Sequence, residues 1–224
     1  MPSRPRSSTA SSKPAAAKPT LVLLVRHGQT STTGKVLPGR APGLHLSAVG
    51  RAQAEQAGQR IAALKQLDAI YVSPLERTRE TAKPIAAATG VKSVVERGLL
   101  ECDFGDWTGQ ELKALMKLPA WSTVQRSPST FRFPGGESFV EMQLRMLSTL
   151  DRLRLRHPGG TIVCVSHADP IKAAMAHLGG AHLDQFQRLV ISPCSISAAL
   201  LGAATPIVLC VNSTGGPLSE LQPS

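Results

Sequence analysis

Residues 20–28 read Thr-Leu-Val-Leu-Leu-Val-Arg-His-Gly (TLVLLVRHG), an unbroken β-prone run that ends abruptly in a polar Arg26-His27-Gly28. An apolar strand with no polar alternation is covered on both faces, the environment of a parallel sheet sandwiched by helices. The flanking sequence repeats the theme. Residues 47–67 carry Ala54, Ala57, Ile61 and Leu64 at helical spacing, and Ala69–Val72 (AIYV) reads as a second strand. Ser73-Pro74-Leu75-Glu76 then has the form of a capping box with proline in the first turn, opening a helix that Gly90 closes. Residues 91–96 form a third strand, and 97–137 are irregular. Ser138-Phe139-Val140-Glu141 is a further capping box, opening a helix with Phe139, Met142, Met146, Leu150 and Leu153 on one face. Thr161–Ser166 (TIVCVS) is a fourth strand, Asp169-Pro170 begins another helix, and Ile196–Leu201 and 207–211 are late strands. Strand–helix alternation of this kind predicts a single α/β domain, its mostly parallel central sheet flanked by helices on both faces.

Composition sets the limits. Of the 224 residues, 42% are hydrophobic and 18% charged, as in a globular protein, while aromatics make up only 4%. Residues 1–19 are Ser-, Pro- and Ala-rich and hold four of the basic residues, Arg4, Arg6, Lys13 and Lys18, without an acid. They read as a disordered basic tail, 20–211 as the folded domain, and 212–224 as a flexible C-terminal tail. A net charge of +10 is compatible with nucleic acid, but no basic stripe interleaved with aromatics supports that partner. The cysteines, Cys102, Cys164, Cys194 and Cys210, form no C-x-x-C pair, so neither a disulfide framework nor a zinc site is indicated. Leu21 to Val25 is too short for a signal peptide or a membrane span, which makes a cytoplasmic enzyme the expectation.

Parallel sheets place ligands beyond the carboxyl ends of their strands. Arg26 and His27 close the first strand, Arg77 lies just past the second, Glu101 past the third, and His167 closes the fourth. Each type serves phosphoryl transfer, which is mostly positioning and charge stabilisation. Guanidinium groups fork onto phosphate oxygens without losing their charge. A neutral imidazole can attack phosphorus, and the neighbouring arginines disfavour imidazolium at His27. His167 can donate to the same phosphoryl group. A carboxylic acid must protonate the leaving oxygen, which requires Glu101 to hold its proton through burial or through the phosphate's charge. Alone, His27 would be an ordinary core histidine, Arg77 a partner for Glu76 or Glu80 on its own helix, and His167 a cap at a strand–helix junction.

The ordered set closely resembles the histidine phosphatase superfamily, in its phosphoglycerate-mutase-like branch. The resemblance runs through Leu23-Leu24-Val25-Arg26-His27-Gly28-Gln29-Thr30, Gly39-Arg40-Ala41-Pro42-Gly43, Leu46-Ser47, Gly50-Arg51-Ala52-Gln53-Ala54 and Ser73-Pro74-Leu75-Glu76-Arg77-Thr78-Arg79-Glu80-Thr81-Ala82. It continues in Leu100-Glu101-Cys102-Asp103-Phe104-Gly105-Asp106-Trp107-Thr108-Gly109, Pro134-Gly135-Gly136-Glu137-Ser138 and Val165-Ser166-His167. It implies His27 as the phosphorylated nucleophile, Arg26, Arg77 and His167 as the phosphate pocket, and Glu101 as proton donor, with Asp103 and Asp106 as alternative acids. Arg40 and Thr30 join the expected phosphate contacts, solvation being the other reading of Arg40. Thr33 stands where many relatives have Asn, and Ala168 replaces a usual Gly. The resemblance calls for no cofactor and no metal. A small phosphorylated substrate is the expected partner, with no nucleic acid and no membrane; oligomeric state stays open, a homodimer included. His45, His157, His177 and His182 read as structural or surface residues, and residues 109–136 as a lid. Three activities share these motifs or resemble them: a phosphatase, favoured by the short folded region; a phosphomutase; and a silent regulatory module, disfavoured because the nucleophile, arginines and acid are all present.

Overall fold

The computed structural model describes residues 18–215 and Leu218. The expected basic tail therefore lies outside the described residues except for Lys18 and Pro19, as does most of the expected C-terminal tail. Strands β1 (Thr20–Arg26), β2 (Ala69–Val72), β3 (Ser93–Val95), β4 (Thr161–Ser166), β5 (Ile196–Leu201) and β6 (Ile207–Ser213) build one sheet in the order β3-β2-β4-β1-β5-β6. The β3-β2-β4-β1 block is parallel, and β5 and β6 are added antiparallel at one edge. Six helices accompany them: α1 (Ala48–Ala62), α2 (Glu76–Thr89), α3 (Leu112–Leu115), α4 (Pro119–Arg126), α5 (Phe139–Arg156) and α6 (Ala168–Leu178).

The unbroken apolar run of β1 works as expected, because its residues alternate between two cores. Leu21, Leu23 and Val25 meet Ile61 of α1 and Ile85 of α2 on one face. Val22 and Leu24 meet Met146, Leu150 and Leu153 of α5 and Ile171 of α6 on the other. A third, aromatic core lies over the end of the sheet, where Phe104, Trp107, Phe133, Phe139 and Phe186 bury their rings together, with Trp121 and Phe131 packed against them. Every Phe and Trp of the chain is spent there, which is how a protein poor in aromatics builds a rigid wall beside the strand ends.

Local signals were followed except where a distant partner competed. The Ser138 capping box forms, with Ser138 and Glu141 each accepting from the other's backbone N–H. Gly90 closes α2 in the left-handed conformation, as expected. The Ser73 box does not form: α2 starts at Glu76 with Leu75 as its N-cap and no side-chain cap, because the Ser73 hydroxyl is engaged by His167 instead. α1 ends at Ala62, short of the expected 67, and β3 is reduced to three exposed edge residues. β6 continues to Ser213, past the expected boundary at 211, and Leu218 is buried in the core beneath α1 and α2.

The junction of β1 and α1 is the tightest point in this framework. A Cβ at Gly50 would sit 2.0 Å from the carbonyl oxygen of Gln29, and one at Gly28 would sit 2.5 Å from the carbonyl oxygen of Gly50. Inside a helix, Gly→Ala ordinarily stabilises by about 1 kcal/mol. Gly50→Ala should do the opposite here, losing about 1–3 kcal/mol to overpacking against backbone that cannot yield, as read from the midpoint of a urea denaturation curve.

Candidate active site

Register brings the two histidines together. β1 and β4 are paired with Arg26 opposite Ser166, so the next residues, His27 and His167, leave the sheet side by side. Their rings lie 5.3 Å apart, centroid to centroid, at 61°. The His27 N–H donates to the Ser166 carbonyl at 3.0 Å, anchoring the turn after the strand. His27 Nδ1 lies 2.8 Å from the Gly28 carbonyl oxygen, which can only accept. Nδ1 must therefore carry the proton, leaving the lone pair on Nε2. Burial, then the charges of Arg77 and Arg26, push the His27 pKa down to about 3. It is a neutral imidazole at any ordinary pH.

His167 is fully buried, and its Nε2 meets the Ser73 hydroxyl at 2.8 Å. If the hydroxyl donates in that pair, Nδ1 bears the other hydrogen, and Nδ1 has no hydrogen-bond partner within the protein. Burial, reinforced by Arg77, holds this ring well below its usual pKa too.

Arg77 is completely buried in the first turn of α2. Its Nη2 donates to the Gly39 carbonyl at 2.7 Å, while Nε and Nη1 find no acceptor. Of the expected alternatives on its own helix, Glu80 instead takes His45 and the Leu46 N–H, and Glu76 accepts the Gly43 N–H while acting on Arg77 only through its charge. Arg26 repeats the pattern: Nη1 donates to the Ile191 carbonyl at 2.6 Å and the buried Nε has no partner. Leaving charged donors unsatisfied in an interior costs several kcal/mol on the order-of-magnitude scale for buried ions, and burial lowers the pKa of both guanidinium groups.

Arg26, His27, Thr30, Thr33 and Glu101 line a cavity of 380 Å³; Arg77 and His167 are fully buried and are not among its lining residues. Glu101 is 7% exposed. Its Oε1 accepts the Cys102 N–H at 3.0 Å, and burial, aided by the nearby Asp169 carboxylate, lifts its pKa to about 7 against the opposing pull of Arg77. Glu101 Oε2 lies 3.9 Å from His167 Nδ1; with both groups neutral this is no ion pair. Of the alternative acids, Asp103 bonds Arg40 and the Gly105 N–H, and Asp106 is exposed; neither lines the cavity. Thr30 is buried, its hydroxyl 3.0 Å from that of Thr33, which also accepts the Thr30 N–H.

Arg40, like Arg77, is an expected phosphate contact that is not among the cavity's lining residues. Its Nε donates to the Glu101 carbonyl at 2.8 Å and its Nη2 to Glu137 at 2.9 Å, so the guanidinium is consumed in holding the 101–103 segment and does not line the cavity. The expected lid also differs. Segment 109–112 is zipped to 35–37 by backbone hydrogen bonds and reaches the cavity through Leu112, while Leu115 and Val124 are core. Much of the mouth is built by residues that sequence reading did not single out: Lys172 and Asp169 on α6, and Gln187, Leu189, Val190 and Ile191. Lys172 Nζ donates to Gln187 Oε1 at 3.1 Å and lies 3.9 Å from Asp169. The one signal for this wall was the Asp169-Pro170 helix start so close to His167.

Among the described residues, no group of three or more His, Cys, Asp or Glu is placed to hold a metal ion, and no helix is long and apolar enough to cross a membrane.

Two imidazoles, two guanidinium groups and a carboxyl gathered at the strand ends have the chemistry that phosphoryl transfer needs. Comparison with known proteins agrees. The model of the histidine phosphatase superfamily (branch 1) matches residues 22–214, and the chain belongs to that family. It is 32% identical over 198 residues to phosphoserine phosphatase 1 of Hydrogenobacter thermophilus, covering 86% of this chain and 92% of that protein. It is 36% identical over 167 residues to an uncharacterised protein of Mycobacterium tuberculosis, covering 73% and 81%. Among solved structures it is similar to a mutant phosphoserine phosphatase of Entamoeba histolytica in complex with phosphoserine (TM-score 0.78, 26% identity, covering 87% of this chain and 98% of that one). It also shares its fold with a mycobacterial glucosyl-3-phosphoglycerate phosphatase (TM-score 0.77, 24% identity, covering 88% and 100%).

Replacing Arg77 by Met removes a buried charge that, among the described residues, makes a hydrogen bond to one carbonyl. The variant should unfold at a temperature no lower than the parent's in the absence of anions, yet lose the thermal upshift that inorganic phosphate gives the parent. A calorimetric scan of both proteins with and without phosphate reads the two effects together.

Proposed function

We propose that this protein is a phosphomonoesterase that works through a phosphohistidine at His27. The observation that carries the reading is the set of buried guanidinium donors without hydrogen-bond partners among the described residues, Arg77 Nε and Nη1 and Arg26 Nε, joined by His167 Nδ1 in the tautomer that accepts from Ser73, near a neutral imidazole. Buried charged donors are rarely left unpaired, and a phosphoryl group offers the acceptor oxygens that such donors take.

In the first step the Nε2 lone pair of His27 attacks phosphorus. A nitrogen–phosphorus bond forms, the ester oxygen–phosphorus bond breaks, and the Glu101 carboxyl gives its proton to the departing oxygen. The guanidinium groups and His167 take up the charge on the transferring oxygens. In the second step the Glu101 carboxylate accepts a proton from water as that water attacks phosphorus. The nitrogen–phosphorus bond breaks, inorganic phosphate leaves, and His27 and protonated Glu101 are regenerated. Thr30 stands at the cavity wall as a hydroxyl contact to the phosphoryl oxygens. The substrate is a small phosphate ester, a reading supported by the family and its phosphatase relatives.

Phosphate release from a panel of esters tests the reading. It should survive EDTA and disappear in His27→Ala. Isomerised product formed only with a bisphosphate primer would instead make the protein a mutase, and no release from any ester would leave a silent module.

The acid–base role carries its own sign. Glu101 must be protonated for the first step, so kcat/KM should fall as pH rises through about 7, where the free carboxyl ionises. Bound phosphate adds negative charge beside Glu101, so the same limb in kcat should lie at higher pH. Glu101→Gln should remove the limb and cost about 10²–10⁴ in rate on alkyl phosphates, measured by phosphate release across pH 5–9.

A further inference from the structure

The proton donor sits on an irregular stretch between two single 3-10 turns, Arg97–Leu99 and Gly105–Trp107, yet a general acid must be positioned within a few tenths of an ångström of the leaving oxygen. Ser166 Oγ holds the Leu99 carbonyl at 2.8 Å and the Glu137 N–H that of Asp103 at 2.9 Å, and a cluster of three charged side chains grips the residues between and before them. Arg145, from α5, donates through Nη1 to the carbonyls of Gly98 and Leu100 at 2.8 and 2.9 Å and through Nη2 to that of Glu101 at 3.3 Å. Arg40 Nε reaches the same Glu101 carbonyl from the other side at 2.8 Å. Between the two guanidinium groups lies the Glu137 carboxylate. It receives Arg145 as a fork, Nε and Nη2 both at 2.9 Å, Arg40 Nη2 at 2.9 Å, and the Asp103 N–H at 3.2 Å.

The cluster also reaches the phosphate side of the site. Arg77 donates to the carbonyl of Gly39, the residue before Arg40. The dipeptide Gly39-Arg40 thus grips a phosphate-site guanidinium through its backbone and the proton-donor segment through its side chain. Gly39 has a φ of +52°, and a Cβ there would lie 2.8 Å from the Thr108 hydroxyl, so the crossing is closely fitted.

We infer that Glu137 is a positioning residue: by bridging Arg40 and Arg145 it fixes the height of the Glu101 carboxyl over the phosphoryl cradle. It touches neither substrate nor reacting atoms and acts only through the two arginines. The inference rests on Glu101 being the proton donor, as proposed above. Glu137→Gln keeps the shape of the side chain but loses charge and one acceptor oxygen, so the fork to Arg145 opens and the donor segment loses its register.

Leaving-group dependence separates positioning from general damage. An alkyl phosphate needs a proton on its departing oxygen, whereas 4-nitrophenyl phosphate expels a stable phenolate and does not. Glu137→Gln should lower kcat on the alkyl ester by 10- to 100-fold, with KM little changed, and on 4-nitrophenyl phosphate by less than 3-fold. Arg40→Lys, which keeps the charge but not the two-pronged reach, should show the same selectivity to a lesser degree and decides the matter if Glu137→Gln does not fold. Equal losses on both esters, or no loss on either, would overturn the inference. Glu101→Gln is the reference: if it is selective for the alkyl ester and the Glu137 and Arg40 variants are not, only the positioning role falls. If Glu101→Gln is itself unselective, the assignment of the acid falls and the positioning role with it.

Discussion

Arg77 is a full positive charge in the interior of a small α/β protein, held by a single carbonyl, and much of the molecule is arranged to tolerate it. Its charge bears on the chemistry of its neighbours. Burial of the rings, reinforced by the charges of Arg77 and Arg26, keeps both histidines neutral, so His27 presents a lone pair rather than a proton. The Arg77 charge also opposes the burial that lifts Glu101, and the lift wins only because the desolvation is severe and Asp169 adds to it. Desolvation thus serves two opposite requirements, a base that never picks up a proton and an acid that keeps one near neutrality, with Arg77 aiding the first and opposing the second.

The sheet is what makes this arrangement affordable. Parallel β1 and β4 deliver the two histidines at adjacent, register-locked positions, and α2 leaves β2 so that Arg77 falls beneath them. The antiparallel β5 and β6 contribute no side chain to this group, but the turn before β5 supports β1 from below, with Ser195 accepting the Arg26 N–H and Cys194 donating to its carbonyl. The aromatic core supplies the remaining wall, a rigid body of rings against which Phe104 faces the cavity.

Most of this was legible in the amino-acid sequence where local pattern and global fold agree. The apolar run of β1, the Ser138 cap and the periodic face of α5 are signals read within a few residues, and they hold. Placement of Arg26, His27, Arg77, Glu101 and His167 at strand ends follows from sheet topology alone. What was not legible depends on partners far away in sequence. Ser73 has every local mark of a helix cap, and only the arrival of His167, 94 residues later, redirects its hydroxyl. Arg40 looks like a phosphate contact until Glu137 and the Glu101 carbonyl claim it. The 187–191 wall has no motif because its contribution is shape and backbone, such as the Ile191 carbonyl that orients Arg26.

The central claim is that the buried donors exist to hold a phosphoryl group on His27. Brief incubation with a ³²P-labelled ester, quenched in alkali, followed by peptide mapping, tests it directly. The account predicts label on the peptide carrying His27, stable in base, lost in acid, and missing from Arg77→Met. Label on another residue, or full turnover with no base-stable phosphoenzyme at any quench time, would contradict it.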